Sequence, residues 1–285
     1  MTPDTKIPKR VSEAIGGALL LAMLLLLWIS LLPETEISAL PLLFRIVLKI
    51  AIFLFPALWL AVFLKRRKIS PPKMTERASL NKSLMLMLSS AGLIVIIEIL
   101  YTALFPTVIT PVGVARENTL LENFLLFLSV SVVPAVTEEI FFRGVVLRSM
   151  RVFRTSLAIL MSALVFALMH FSAPVFPLAF VCGLIFGMAY VSTGSVFSVI
   201  GIHFLCNAFW FLAETVNVYM PDGYSLLIRG AFTVCVLLSS TGLPFLKENT
   251  VAFFADDEYA VSSSAVLSLP MMLFIGLAVG IQLFT

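Results

Sequence analysis

Long apolar runs separated by short polar segments dominate the pattern of the chain. Nine such runs lie at residues 15–32, 40–64, 84–105, 120–147, 157–171, 177–191, 196–218, 226–245 and 265–284. A helix needs about 20 apolar residues to cross a bilayer. Two of the runs, 157–171 and 177–191, are short, and the second run is interrupted by Arg45 and Lys49. The pattern predicts an all-α polytopic transmembrane helical bundle with eight or nine spans and no soluble domain.

Composition excludes a soluble protein. Of the 285 residues, 60% are hydrophobic and 12% are charged, whereas a soluble domain carries roughly 25% charged residues. The net charge of +3 comes from basic residues in short loops, so nucleic acid is not expected as a partner. The three cysteines lie in apolar runs without Cys-x-x-Cys spacing, which indicates neither a disulfide framework nor a zinc finger.

Basic residues gather in three segments that share one side of the membrane if the spans alternate. They are Lys6, Lys9 and Arg10, the seven Lys and Arg residues of loop 65–82, and Arg148, Arg151 and Arg154. Because cytoplasmic loops are enriched in Lys and Arg, we expect a multi-pass protein of the cell (plasma) membrane with a cytoplasmic N-terminus. With nine spans the C-terminus is external, although the acidic segment 247–258 does not orient the last spans.

Four of the runs contain ionisable side chains that call for a functional hypothesis, because each costs at least about 2.5 kcal/mol inside a bilayer. They are Glu98 in run three, Glu138, Glu139 and Arg143 in run four, His170 in run five and His203 in run seven, which also holds Asn207. The chain has two histidines and both lie in these runs. Together with a carboxylate pair and an arginine, they favour proton-transfer or metal chemistry over a structural role.

Helical spacing separates the roles of the two adjacent glutamates. Glu139 and Arg143 are four residues apart, so they share a face and can form an ion pair, while Glu138 points about 100° away. Glu138 is then free to act as a general base. His203 and Asn207 also share a face and can donate hydrogen bonds toward one point. At about 1.5 Å per residue these groups lie within the hydrocarbon layer, which predicts a water-filled cavity.

Glu98 is predicted to make a structural contact between the second and third runs. Arg45 and Lys49 lie within about one helical turn of its depth, and the choice between them stays open. The alternative is that Glu98 belongs to the functional site.

Three strings on separate predicted helices resemble the signature of the CPBP family of CAAX proteases and bacteriocin-processing enzymes, which includes the Abi proteins. The strings are Glu-Glu-x-x-x-Arg (Glu138, Glu139, Arg143), Phe-x-x-x-His (Phe166, His170) and His-x-x-x-Asn (His203, Asn207). The resemblance covers residues 120–218, a third of the chain. It divides the sequence into an N-terminal three-span region (1–118), a CPBP-like protease core of spans four to seven (119–218) and C-terminal spans (219–285).

The resemblance implies an intramembrane endopeptidase that hydrolyses membrane-anchored or transmembrane protein or peptide substrates in the lipid bilayer. Carried over by motif, Glu138 activates the hydrolytic water with His170, while His203 and Asn207 stabilise the oxyanion. The supporting residues are Glu139 and Arg143. Substrate identity and oligomeric state stay open.

Metal dependence and a different functional class are the alternatives. Glu138, His170 and His203 could supply the three protein ligands of a catalytic zinc, but a metal-free glutamate mechanism uses the same residues and is favoured. The His-Glu-x-x-His string of zinc peptidases is absent. A proton-coupled transporter or a non-catalytic membrane immunity protein is the other hypothesis. The missing internal repeat and the donors of His203 and Asn207 favour the peptidase.

Overall fold

The computed structural model describes residues 6–30, 42–69, 78–106, 113–255 and 266–284. Within these ranges the protein forms nine helices and no strand, which confirms the predicted all-α polytopic bundle. The helices are α1 (Lys6–Ser30), α2 (Leu42–Arg66), α3 (Leu80–Leu104), α4 (Leu120–Met150), α5 (Thr155–Leu168), α6 (Phe176–Thr193), α7 (Val196–Tyr219), α8 (Pro221–Ala255) and α9 (Leu269–Phe284). Lys73 and Arg77 of the basic loop, and residues 256–258 of the acidic segment, lie outside the described residues.

Seven of the helices in the described part of the chain are long and apolar enough to cross a membrane. The two shorter apolar helices are α5, with 14 residues, and α9, with 16. Helix α8 extends beyond the predicted run 226–245 at both ends. The count of eight or nine spans, the orientation and the domain boundaries stay predictions.

Helix α4 lies at the centre of the bundle and contacts α2, α5 and α7. Around it, α3 packs against α6, α7 and α8, and α5 packs along α6. Helix α1 packs against α2 and α9, and its Gly16 lies against the backbone of the first turn of α9. A Cβ atom at Gly16 would lie 2.7 Å from the backbone carbon of Pro270, so only glycine allows this contact. Because α2, α5 and α7 all contact α4, residues from these helices can meet the polar residues of α4.

Helix α4 is not a regular α-helix, because two π-helical stretches interrupt it at Leu128–Val132 and Ile140–Leu147. In the first stretch the N–H of Val133 donates to the carbonyl of Leu128, five residues earlier. Pro134 follows directly, and in an α-helix its ring would clash with the carbonyl four residues before it. The wider π register accommodates this proline within a membrane helix.

The same register leaves the carbonyl of Ser129 without its helical donor. That donor would be the N–H of residue 134, and proline has none. Lys49 of α2 fills the gap, because its Nζ donates to the Ser129 carbonyl oxygen at 3.1 Å and contacts the Ser129 Oγ at 3.0 Å. A buried backbone carbonyl needs a partner, so this contact ties α2 to α4.

Candidate active site

Glu139 is the centre of a buried polar cluster between α4 and α7. Its Oε1 lies 2.9 Å from Nη1 of Arg143 and 2.9 Å from Nδ1 of His203. Glu139 and Arg143 are both 0% exposed. The predicted ion pair is confirmed, and the structure adds His203 as a second partner of the same oxygen.

Arg143 is held by aromatic rings as well as by the carboxylate. Its guanidinium carbon lies 4.5 Å from the ring centroid of Phe166, 5.0 Å from that of Phe186 and 5.9 Å from that of Phe142. Its Nη2 donates to the carbonyl of Gly183 at 3.2 Å. Desolvated cation–π contacts contribute about 2 kcal/mol. Arg143 therefore connects α4 to both α5 and α6 and holds Glu139 in place.

His203 and Asn207 lie one helical turn apart on α7 and both line a cavity of about 540 Å³. The His203 ring stacks on Phe186, with ring centroids 5.0 Å apart. Because Oε1 of Glu139 accepts from Nδ1, that nitrogen carries a proton, and Nε2 is the ring nitrogen left for a substrate. The predicted pair of donors therefore shares one cavity.

Glu138 and His170 line a second, smaller cavity of about 190 Å³. Glu138 is half-buried, and within the described residues it makes no hydrogen bond or ion pair. His170 is exposed and lies in the turn after α5, so the helix ends at Leu168 and does not include this histidine, which the predicted run 157–171 contained. Its Nδ1 contacts the carbonyl oxygen of Phe166 at 2.9 Å.

The two cavities are adjacent and share wall residues. Lys49, Pro134, Phe166 and His170 line both of them. The Phe166 ring lies 5.0 Å from His170 and 6.2 Å from His203, centroid to centroid. Neither cavity contains all four candidate residues, and His170 is the candidate that belongs to both.

The structure adds two charged residues that the motifs do not contain. Lys49 and Glu98 line the 540 Å³ cavity. The predicted pairing of Glu98 with Arg45 or Lys49 is wrong, because Oε2 of Glu98 accepts a hydrogen bond from Nε1 of Trp210 at 2.7 Å and Lys49 donates to the carbonyl of Ser129. Lys49 and Glu98 both lie inside apolar runs, where a charge indicates a functional role. That position in the sequence could have assigned them to the candidate site.

The possible zinc ligands do not form a metal-binding group. Among the residues that the structure describes, no three His, Cys, Asp or Glu side chains lie close enough together to hold a metal ion. Glu138, His170 and His203 thus do not fit the three-ligand arrangement in this conformation.

Comparison with known proteins supports the family suggested by the motifs. The family model described as Rce1-like, type II CAAX prenyl endopeptidase Rce1-like, matches residues 120–209. The matched segment contains the complete motif set. No curated protein and no solved structure gives a significant match. The resemblance to the CPBP family of CAAX proteases is confirmed, and the match supports an intramembrane CAAX endopeptidase in general.

Proposed function

We propose that the chain is an intramembrane endopeptidase in which Glu138 activates water to hydrolyse a peptide bond, without a resident metal. The observation that carries this proposal is the position of Glu138. Its carboxylate is half-buried, has no hydrogen-bond partner among the described residues and lines a cavity together with His170. A carboxylate that is not held by a structural partner can accept a proton.

His170 is suited to orient the water. Its Nδ1–H donates to the carbonyl of Phe166, so Nε2 of the neutral ring is an acceptor. A water molecule between Glu138 and His170 donates one hydrogen to each. Glu138 removes a proton as the water oxygen bonds to the substrate carbonyl carbon, and the carbonyl electron pair moves to its oxygen.

His203 and Asn207 are suited to stabilise the resulting oxyanion. The Asn207 amide is a donor, and Nε2 of His203 donates when the ring is protonated. Glu139 would stabilise that imidazolium through Nδ1, as a carboxylate does in a catalytic triad. When the C–N bond breaks, Glu138 returns its proton to the leaving amine. The products are a carboxylic acid and an amine, and one water is consumed.

A cleavage assay with the full chain in liposomes tests the proposal. The substrates are membrane-anchored peptides that carry a fluorophore and a quencher. Glu138→Gln should lower kcat by about 100-fold or more while the melting temperature stays unchanged. Glu117→Gln removes an exposed carboxylate from the loop before α4 and serves as the control.

Two results would contradict the mechanism. Activity in Glu138→Gln, combined with a folded and inactive Glu139→Gln, would mean that the two carboxylates have the opposite roles. Absence of cleavage of any peptide by folded wild-type protein would favour the transporter or immunity alternative.

The proposal includes the plasma membrane as the location and a cytoplasmic N-terminus. The support is the distribution of basic residues, since Lys and Arg mark cytoplasmic loops. Its partners are the lipid bilayer and a membrane-anchored or transmembrane substrate.

A further inference from the structure

Glu98 is a carboxylate of the large cavity that the proposed chemistry does not use. It lies on α3, outside the segment matched by the family model. Trp210 binds one of its oxygens, Oε2, and within the described part of the chain Oε1 has no hydrogen-bond partner. A carboxylate at membrane depth is costly unless it has partners or a function. One hydrogen bond is too little to explain its presence.

The Lys, Arg, Asp and Glu side chains that line the two cavities are Lys49, Glu98 and Glu138. Lys49 acts electrostatically on Glu138 and donates its hydrogen bonds to Ser129. His203 acts electrostatically on Glu98, but the Nδ1 of its ring is held by Glu139. Among the described residues, Glu98 therefore forms no ion pair with a Lys or Arg side chain.

We propose that Glu98 is a specificity-determining residue that binds a basic side chain of the substrate in the 540 Å³ cavity. The inference rests on the proposed peptidase function and names a substrate class for it, peptides with Lys or Arg beside the scissile bond. The basic residue is close to that bond because His203 and Asn207 line the same cavity.

The cavity has the form that such a side chain requires. Its volume lies within the range of about 300 to 1,000 Å³ typical of ligand pockets. Apolar walls from Val175, Leu178 and Phe186 can cover the aliphatic stem of a lysine or arginine, and the charged end reaches the carboxylate. The indole N–H of Trp210 fixes the orientation of Glu98 and leaves Oε1 for the substrate.

A binding measurement separates this inference from the catalytic proposal. The protein is the full chain with Glu138→Gln, in detergent, and the probes are fluorescent membrane-anchored peptides that differ at one position. The reference bond is the one that wild-type protein cleaves, or the central bond of the peptide if none is cleaved. Lys, Met or Glu is placed in turn at each of the four positions on either side of that bond. The Kd of each peptide is measured by anisotropy.

At one or more positions the Lys peptide should bind at least about tenfold more tightly than the Met peptide. Adding Glu98→Gln should abolish that ratio, and adding Glu117→Gln should preserve it. Trp210→Phe keeps an aromatic side chain but removes the indole N–H donor, and should reduce the ratio partly. Equal Kd values for Lys and Met at every position, or a ratio that persists in Glu98→Gln, would overturn the inference.

Cleavage by wild-type protein is followed in parallel with the same peptides. Lys-selective binding without cleavage would support the role of Glu98 and contradict the peptidase mechanism. Cleavage without Lys selectivity would support the peptidase mechanism and contradict the role of Glu98. The failure of one proposal can therefore be distinguished from the failure of the other.

Discussion

Replacement of Arg143 by methionine should destabilise the protein strongly. The side chain is 0% exposed, and its partner Glu139 is equally buried, with 2.9 Å between Nη1 and Oε1. Removing one member of a buried pair leaves an uncompensated charge and costs about 3 to 5 kcal/mol. Loss of the contacts with three aromatic rings adds to this cost, since desolvated cation–π contacts are worth about 2 kcal/mol.

The same buried pair allows a sharper test by a double-mutant cycle. Glu139→Gln leaves the guanidinium without its carboxylate, whereas the double variant Arg143→Met with Glu139→Gln removes both charges. Because no orphaned charge remains, the double variant should lose less stability than the sum of the two single variants. Glu139→Gln should also lower activity, since His203 loses the carboxylate that orients it.

Unfolding of purified protein in detergent, followed by the melting temperature and by denaturant, measures these effects. Arg148→Met is the matched control, because Arg148 is exposed in the last turn of α4. Wild-type stability in Arg143→Met, or strictly additive losses in the double variant, would refute the view that the buried pair holds the site together.

Three further outcomes follow from other contacts. Gly183→Ala would place a Cβ 2.9 Å from the Cα of Ala163, so it should separate α5 from α6 and lower the melting temperature. Gly230→Ala is the control and should leave the melting temperature unchanged, because a Cβ there would have nothing within 4 Å. Lys49→Met should cost about 1 to 3 kcal/mol by leaving the Ser129 carbonyl without a donor, and Lys49→Arg should restore part of this in the same unfolding assay. Reporter fusions in loop 65–82 should report a cytoplasmic location, and an external signal there would reverse the orientation.

Helical spacing was sufficient to predict the contacts made within one helix. The ion pair of Glu139 with Arg143 and the shared cavity of His203 with Asn207 both follow from positions four residues apart. Apolar run length likewise predicted the helical bundle, because a membrane helix must satisfy its backbone internally.

Contacts between helices could not be predicted in the same way. Depth alone suggested that Glu98 pairs with a cation, whereas helix packing brings Trp210 to it. A donor from α2 satisfies the Ser129 carbonyl in the first π stretch of α4, and His170 lies in a turn because α5 ends at Leu168. Sequence periodicity predicts on which face of its helix a residue lies, but not which neighbouring helix packs against that face.

The hydrogen bond from Lys49 to Ser129 has a consequence for biosynthesis. Because Pro134 has no N–H, the Ser129 carbonyl has no donor within α4. If α4 were inserted by itself, this unsatisfied backbone group would be exposed to lipid. The ribosome makes α2 before α4, so Lys49 is already present in the membrane when the Ser129 carbonyl of α4 is inserted. A fragment beginning at Leu120 would keep every sequence motif yet lack this donor, along with the Lys49 and Glu98 walls of the cavity. The segment matched by the family model thus carries the motif residues, while the donor for Ser129 and two charged residues of the cavity wall come from helices that precede it.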